Sequence, residues 1–148
     1  MHPDDHRKLF YLTIAMDIPF IAILLTSAPT PTPTLTIYDT IYCYIVLFTH
    51  VVFLLSMHYN ITELLEFLHY IVFLLLSAGL GASNVFILSI CLFLSTAIQV
   101  LWVYEERCIL NERTSTSTSS QFGYGKELNV YMILLTILFS MKIGYSYT

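Results

Sequence analysis

Charged side chains are scarce in this 148-residue chain: Asp, Glu, Lys and Arg make up 11% of it, and 57% of its residues are hydrophobic. A soluble domain normally carries about 25% charged residues, because a small fold must cover most of its exterior with polar groups. The same composition excludes a disordered chain, which has few apolar residues and a high net charge. The composition therefore predicts an integral membrane protein whose exterior is solvated by lipid.

Basic residues and cysteines are also few. Six Lys and Arg against ten Asp and Glu give a net charge of −4, without the basic cluster that nucleic-acid binding needs. We therefore expect no nucleic-acid partner. The three cysteines, Cys43, Cys91 and Cys108, are an odd number with no close pair, which indicates neither a disulfide framework nor a zinc site.

Long apolar runs are what the sequence has in abundance. A helix needs about 20 mostly apolar residues to span a bilayer. Five segments have this character: about 9–26, 35–57, 64–80, 84–104 and 128–145. Residues 67–104 include no Asp, Glu, Lys or Arg and would be about 57 Å long as one helix, so we expect them to fold back near Gly79 and Gly81. The sequence predicts an all-α, polytopic transmembrane bundle of five spans, forming one domain over residues 1–148.

The basic residues provide an independent test of five spans, because Lys and Arg collect in cytoplasmic loops. With five spans, only Lys142 falls on one side of the membrane. The other five basic residues fall on the opposite side: Arg7, Lys8, Arg107, Arg113 and Lys126. This distribution places the N-terminus on the cytoplasmic side and the C-terminus opposite. The first span could instead be a cleaved secretory signal, which would leave four spans.

Two connecting segments have a biased composition. Residues 29–34 alternate proline and threonine, which favours an extended, polyproline-like connector. The cytoplasmic loop at 105–127 contains a Ser/Thr tract at 114–120 without an apolar face, which predicts a flexible linker.

Three ionisable residues inside the predicted spans are the main functional candidates: Asp17, His50 and His69. Such a residue is costly in a bilayer unless it finds a partner. All three lie in the cytoplasmic half of their spans, and His50 could face His69 because their spans are consecutive and antiparallel. The cluster has two interpretations. It fastens helices together by hydrogen bonds, or Asp17 and the histidines form a proton or ion path.

Two cofactor sites are weaker alternatives. His50 and His69 could hold haem as paired axial ligands. Glu66 and His69 lie on one helical face at i and i+3, as in carboxylate-bridged metal bundles, but the sequence has one such motif where a di-iron site needs two. We therefore expect no cofactor, no metal site and no catalytic residue. Gly79, Gly81 and Ser83 form a small-residue patch that favours close helix packing.

A short motif carries a family resemblance. Cys108-Ile109-Leu110-Asn111-Glu112, directly after the fourth span, resembles a Cys-apolar-Leu-polar-Glu box found in small multi-spanning membrane proteins of large DNA viruses. The resemblance implies a component of a virion membrane or a capsid-associated protein, and it transfers no catalytic residue. We thus expect a non-enzymatic structural or assembly component, with lipid, other membrane or capsid proteins and further copies of itself as partners. A haem-binding electron-transfer subunit is a further alternative.

Overall fold

The structure is a computed structural model that describes residues 3–26, 35–105 and 126–147. The described residues form five long α-helices and one short 3₁₀ turn, and they contain no strand. The bounds in chain order are α1 Pro3–Thr26, α2 Ile37–His58, α3 Thr62–Ala78, the 3₁₀ turn Gly79–Gly81, α4 Val85–Glu105 and α5 Lys126–Ser146. The predicted all-α class is therefore confirmed.

Each long helix overlaps one of the segments predicted as spans. Within the described ranges, three stretches are long and apolar enough to cross a membrane: Arg7–Thr26, Ile37–His58 and Glu63–Gly81. α4 and α5 contribute the shorter apolar stretches Val85–Val100 and Val130–Ser146. The described part of the chain is thus helical, with three helices able to cross a membrane. The five-span arrangement stays a prediction.

Both connectors with biased composition fall wholly or largely outside the described residues. The predicted extended connector at 29–34 lies entirely outside them, and so do residues 106–125 of the predicted flexible loop. The loop's remaining positions are helical: Glu105 ends α4, and residues 126–127 begin α5.

The long uncharged run folds back between α3 and α4. α3 ends at Ala78, the 3₁₀ turn follows, and Asn84 Oδ1 accepts a hydrogen bond from the Phe86 amide at 2.9 Å. This bond satisfies one of the amides that a helix start leaves without an intrahelical acceptor. The α2–α3 connection turns at Asn60, whose φ of 55° lies in the left-handed region that asparagine tolerates better than most residues.

The helices pack in chain order. α2 packs against both α1 and α3, and α4 packs along α5. The largest buried apolar cluster draws on α1, α2, α3, α4 and α5, with Phe20, Val46, Leu76, Ile87 and Phe139 among its members. A second cluster joins α1, α2 and α3 through Leu9, Phe53, Met57 and Leu68.

Beside its buried apolar residues, α2 has polar residues on its inner face and large apolar residues on its outer face. Asp39, Thr49 and Ser56 are buried, whereas Phe48 is 71% exposed and Val51 is 51% exposed. In water this arrangement would expose large apolar side chains and bury polar ones, both at a cost in free energy. In a bilayer it is the favourable arrangement, because lipid contacts the apolar side chains while buried polar groups find partners within the protein.

Candidate functional site

The structure brings together two of the three predicted intramembrane candidates. Asp17 of α1 and His50 of α2 are joined by a 2.6 Å contact between Oδ1 and Nδ1. Both side chains are largely buried, with 16% of Asp17 and 13% of His50 exposed. A contact this short between a carboxylate and an imidazole N–H is typical of a charge-assisted hydrogen bond. It links α1 to α2 near the middle of both helices.

Apolar side chains lie on both sides of the Asp17–His50 pair. Phe20 follows Asp17 by three residues, Val46 precedes His50 by four, and both belong to the larger buried cluster. On the other side, towards the N-terminal end of α1, lies the second cluster of Leu9, Phe53, Met57 and Leu68. The pair is therefore enclosed between two apolar layers along the helix axes.

His50 also lines a small cavity among α1, α2, α3 and α4. The volume of this cavity is about 20 Å³. Its polar side chains are His50, Tyr42 and Cys91, and the remainder of its wall is apolar. A porphyrin needs a slot many times larger, so this cavity does not fit the haem alternative.

His69 occupies a different environment from the pair. Its side chain is 8% exposed, and its ring lies edge-on to Phe73, with ring centroids 5.0 Å apart, and to Tyr70. It is not among the residues that line the His50 cavity. The side chain of Glu66 lies outside the described part of the chain, so the Glu66–His69 metal alternative stays a prediction. Among the described residues, no group of three or more His, Cys, Asp or Glu is placed to hold a metal ion.

A second polar centre, which sequence reasoning missed, surrounds Asp39 at the start of α2. Asp39 is 1% exposed. Its Oδ2 accepts hydrogen bonds from the Thr36 amide at 3.1 Å and the Thr36 hydroxyl at 2.8 Å. Its Oδ1 accepts one from the Ser83 amide at 2.9 Å, across the bundle. The sequence signal was the Thr-x-x-Asp spacing of a capping box, which marks the start of α2 but does not reveal the partner at Ser83.

Further donors converge on the carbonyls around the α3–α4 turn. Tyr38 Oη donates to the Ala78 carbonyl at 2.5 Å, and Tyr42 Oη donates to the Leu75 carbonyl at 3.0 Å. Lys142 of α5 donates to the Leu80 carbonyl at 2.5 Å. The Ala78 carbonyl lies at the end of α3, where carbonyls lack intrahelical partners, whereas the Leu75 carbonyl also accepts the Gly79 amide and the Leu80 carbonyl lies in the 3₁₀ turn. We call Thr36, Tyr38, Asp39, Tyr42, Lys142 and residues 78–84 the turn cluster.

The predicted small-residue patch forms part of the turn cluster. A Cβ added at Gly79 would lie 2.7 Å from Cys91 Sγ and 2.8 Å from Tyr42 Oη, and one at Gly81 would lie 2.5 Å from Tyr38 Oη. Both glycines are therefore required by the close approach of side chains from α2 and α4. Ser83 contributes its backbone amide, to Asp39, and its side chain is exposed. The patch thus makes contacts within this chain.

A third polar group joins α4 to α5. Gln99 Nε2 donates to Thr136 Oγ1 at 2.6 Å and to the Met132 carbonyl at 3.2 Å. The Ser95 hydroxyl lies 3.1 Å from the same Thr136 hydroxyl. These groups are the kind of interhelical polar contact that holds transmembrane helices together.

The fold and these sites define a helical protein that is suited to a membrane and held together by internal polar contacts. Comparison with protein-family models, with curated proteins and with solved structures finds no match to this chain. The five residues that carry the viral resemblance lie outside the described residues, and the resemblance stays a prediction.

Proposed function

We propose that this chain is a non-enzymatic integral membrane protein that serves as a structural or assembly component of a membrane complex. One observation carries the proposal: the principal interior polar groups bond within the chain, while large apolar side chains project outward from the helices. Asp17, Asp39 and Gln99 each bond to another helix or to the α3–α4 turn of the same chain. The exterior of the molecule is apolar, which suits contact with lipid and with other membrane helices.

The cavity volume supports a non-enzymatic role. Sites for small molecules usually enclose about 300–1,000 Å³ and bring several polar groups together. The cavity beside His50 has a volume of about 20 Å³ and three polar side chains in its wall. A substrate of ordinary size does not fit there.

The proposed arrangement has five spans, with the N-terminus on the cytoplasmic side. α4 and α5 each have 21 residues, which gives about 32 Å at 1.5 Å per residue and matches the hydrocarbon core. Reporter tags inserted at 29–34 and at 114–120 test this arrangement, because five spans place them on opposite sides of the membrane. Tags on the same side would contradict it.

Extraction of the chain from its native membrane in lipid nanodiscs tests the assembly role. The expected result is a particle of defined mass that contains membrane proteins, or further copies of this chain, at fixed stoichiometry. Recovery of a monodisperse single chain would overturn the proposal. The viral version, which rests on the Cys108–Glu112 resemblance, requires the chain to be present in purified virions after protease treatment of their exterior.

A second candidate is a proton or ion pathway, which the Asp17–His50 contact favours. In reconstituted vesicles it requires a proton flux that Asp17→Asn abolishes and Glu63→Gln, a change at an exposed carboxylate, leaves intact. Equal fluxes in protein-free, wild-type and Asp17→Asn vesicles would remove this candidate. The apolar layers on both sides of the pair support the assembly role over a continuous path.

A further inference from the structure

His50 has two ring nitrogens in different surroundings. Nδ1 contacts the Asp17 carboxylate at 2.6 Å. His50 also lines the cavity among α1, α2, α3 and α4, and Nε2 is the ring nitrogen that the Asp17 contact leaves available to it. A carboxylate on one nitrogen fixes the ring's orientation and tautomer, and the other nitrogen is then presented to a ligand.

The cavity volume restricts what such a ligand can be. The cavity volume of about 20 Å³ exceeds the roughly 10–15 Å³ that one water molecule needs. A hydrated ion, a lipid headgroup or an organic cofactor is too large. A purely apolar cavity of this size would stay dry, but this wall includes the His50 imidazole, the Tyr42 hydroxyl and the Cys91 thiol.

We propose that this cavity is a binding site for one water molecule held by His50 Nε2, so that Asp17, His50 and the water form a buried hydrogen-bonded triad. In the neutral ring, Nδ1–H donates to the Asp17 carboxylate and Nε2 accepts from the water. The site goes beyond the assembly role and does not depend on it.

The test is magnetisation transfer from water to the histidine ring nitrogens, measured by proton-detected solid-state NMR. The full chain, labelled with ¹⁵N-histidine, is reconstituted in deuterated lipid, and the His50 signals are assigned by their loss in His50→Gln. We expect a water cross-peak at His50 Nε2 in the wild-type protein. Absence of that peak, while the exposed His58 shows one, overturns the proposal.

Cavity-filling variants locate the water. Val46→Ile and Val72→Ile each add one methylene to the cavity wall, and we expect a loss of at least five-fold in the His50 cross-peak. Val51→Ile is the matched control, because Val51 is 51% exposed on the outer face of α2. The His50 cross-peak of this variant should equal that of the wild type. Val46 is tightly buried, and if Val46→Ile does not fold, Val72→Ile alone decides. A cross-peak of wild-type intensity in the folded filled variants overturns the proposed location.

Discussion

The turn cluster and the Asp17–His50 pair are both buried polar centres built on α2, but they bind in different ways. Asp39 accepts three hydrogen bonds, two of them from backbone amides, and Tyr38, Tyr42 and Lys142 donate to backbone carbonyls. Asp17 and His50 are joined by one contact between two side chains. The turn cluster therefore fixes the path of the backbone between α3 and α4. The Asp17–His50 pair joins α1 to α2 through side chains alone.

This difference has an energetic consequence. A backbone amide or carbonyl that loses its buried partner stays in place, so its desolvation is uncompensated. A side chain that loses its partner can rotate or bond to its own helix, and this adaptability keeps many interhelical bonds in membranes near 0.6 kcal/mol, as an approximate mean. We therefore expect changes in the turn cluster to be the more damaging. The predictions below are differences in the free energy of unfolding, measured by SDS titration in mixed micelles with far-UV circular dichroism.

The largest effect is expected for Asp39→Asn. The new amide group places a donor against the donors of Thr36 or Ser83, so at least one N–H or O–H that faces the buried Asp39 side chain loses its acceptor. We expect a loss of about 3 kcal/mol. Glu63→Gln, at an exposed carboxylate, is the control and should change stability by less than about 0.5 kcal/mol. Equal effects for the two variants would refute the special role of Asp39.

Gly79→Ala should follow in size. The added methyl group meets the buried Cys91 thiol and the Tyr42 hydroxyl, so packing or the Tyr42–Leu75 bond must give way, at a cost of about 2 kcal/mol. Gly144→Ala is the matched control in α5, since a Cβ there has no neighbouring atom within 4 Å. Its stability should stay within about 1 kcal/mol of the wild type, on the stabilising side. A Gly79→Ala protein as stable as Gly144→Ala would show that the close approach is dispensable.

Breaking the Asp17–His50 pair should cost less. Asp17→Ala and His50→Ala are each expected to lose about 1.5 kcal/mol, and a double-mutant cycle should give a coupling energy of about 1 kcal/mol. Thr13→Val is a control on α1, because the Thr13 hydroxyl bonds to the Leu9 carbonyl of its own helix. A coupling energy near zero would mean that the contact does not hold α1 to α2.

The smallest of the four effects is expected at the α4–α5 contact. Gln99→Leu removes the bonds to Thr136 and to the Met132 carbonyl, and we expect a loss of about 0.6–1 kcal/mol. Ser89→Ala is the matched change on α4, where the hydroxyl is exposed and bonds to its own helix at Val85. A loss for Gln99→Leu greater than that for Asp39→Asn would invert the proposed order of the polar centres.

The sequence predicted the helices well because lipid-compatible apolar runs and charge breaks are local properties. The fold-back near Gly79 and Gly81 followed from the length of the uncharged run. The sequence also identified the candidate residues within spans, because an ionisable group stands out in an apolar run. Asp17 and His50 were singled out on that ground.

Partners were harder to predict than positions. The sequence left open whether His50 faces His69 and which histidine meets Asp17. The structure places Asp17 against His50, and the rings beside His69 are Tyr70 and Phe73. Asp39 was not among the candidates that the sequence singled out. Its burial depends on the Ser83 amide, 44 positions along the chain, and no local pattern encodes that approach.

The sequence by itself determined that this is a helical protein suited to lipid, since composition and the length of apolar runs fix what solvent each segment tolerates. Only the tertiary structure decided which polar groups meet. Pairing depends on the rotation of each helix about its axis and on how neighbours pack, and these follow from the whole set of interhelical contacts. That is why Asp17 joins α1 to α2 while Asp39 fixes the turn between α3 and α4.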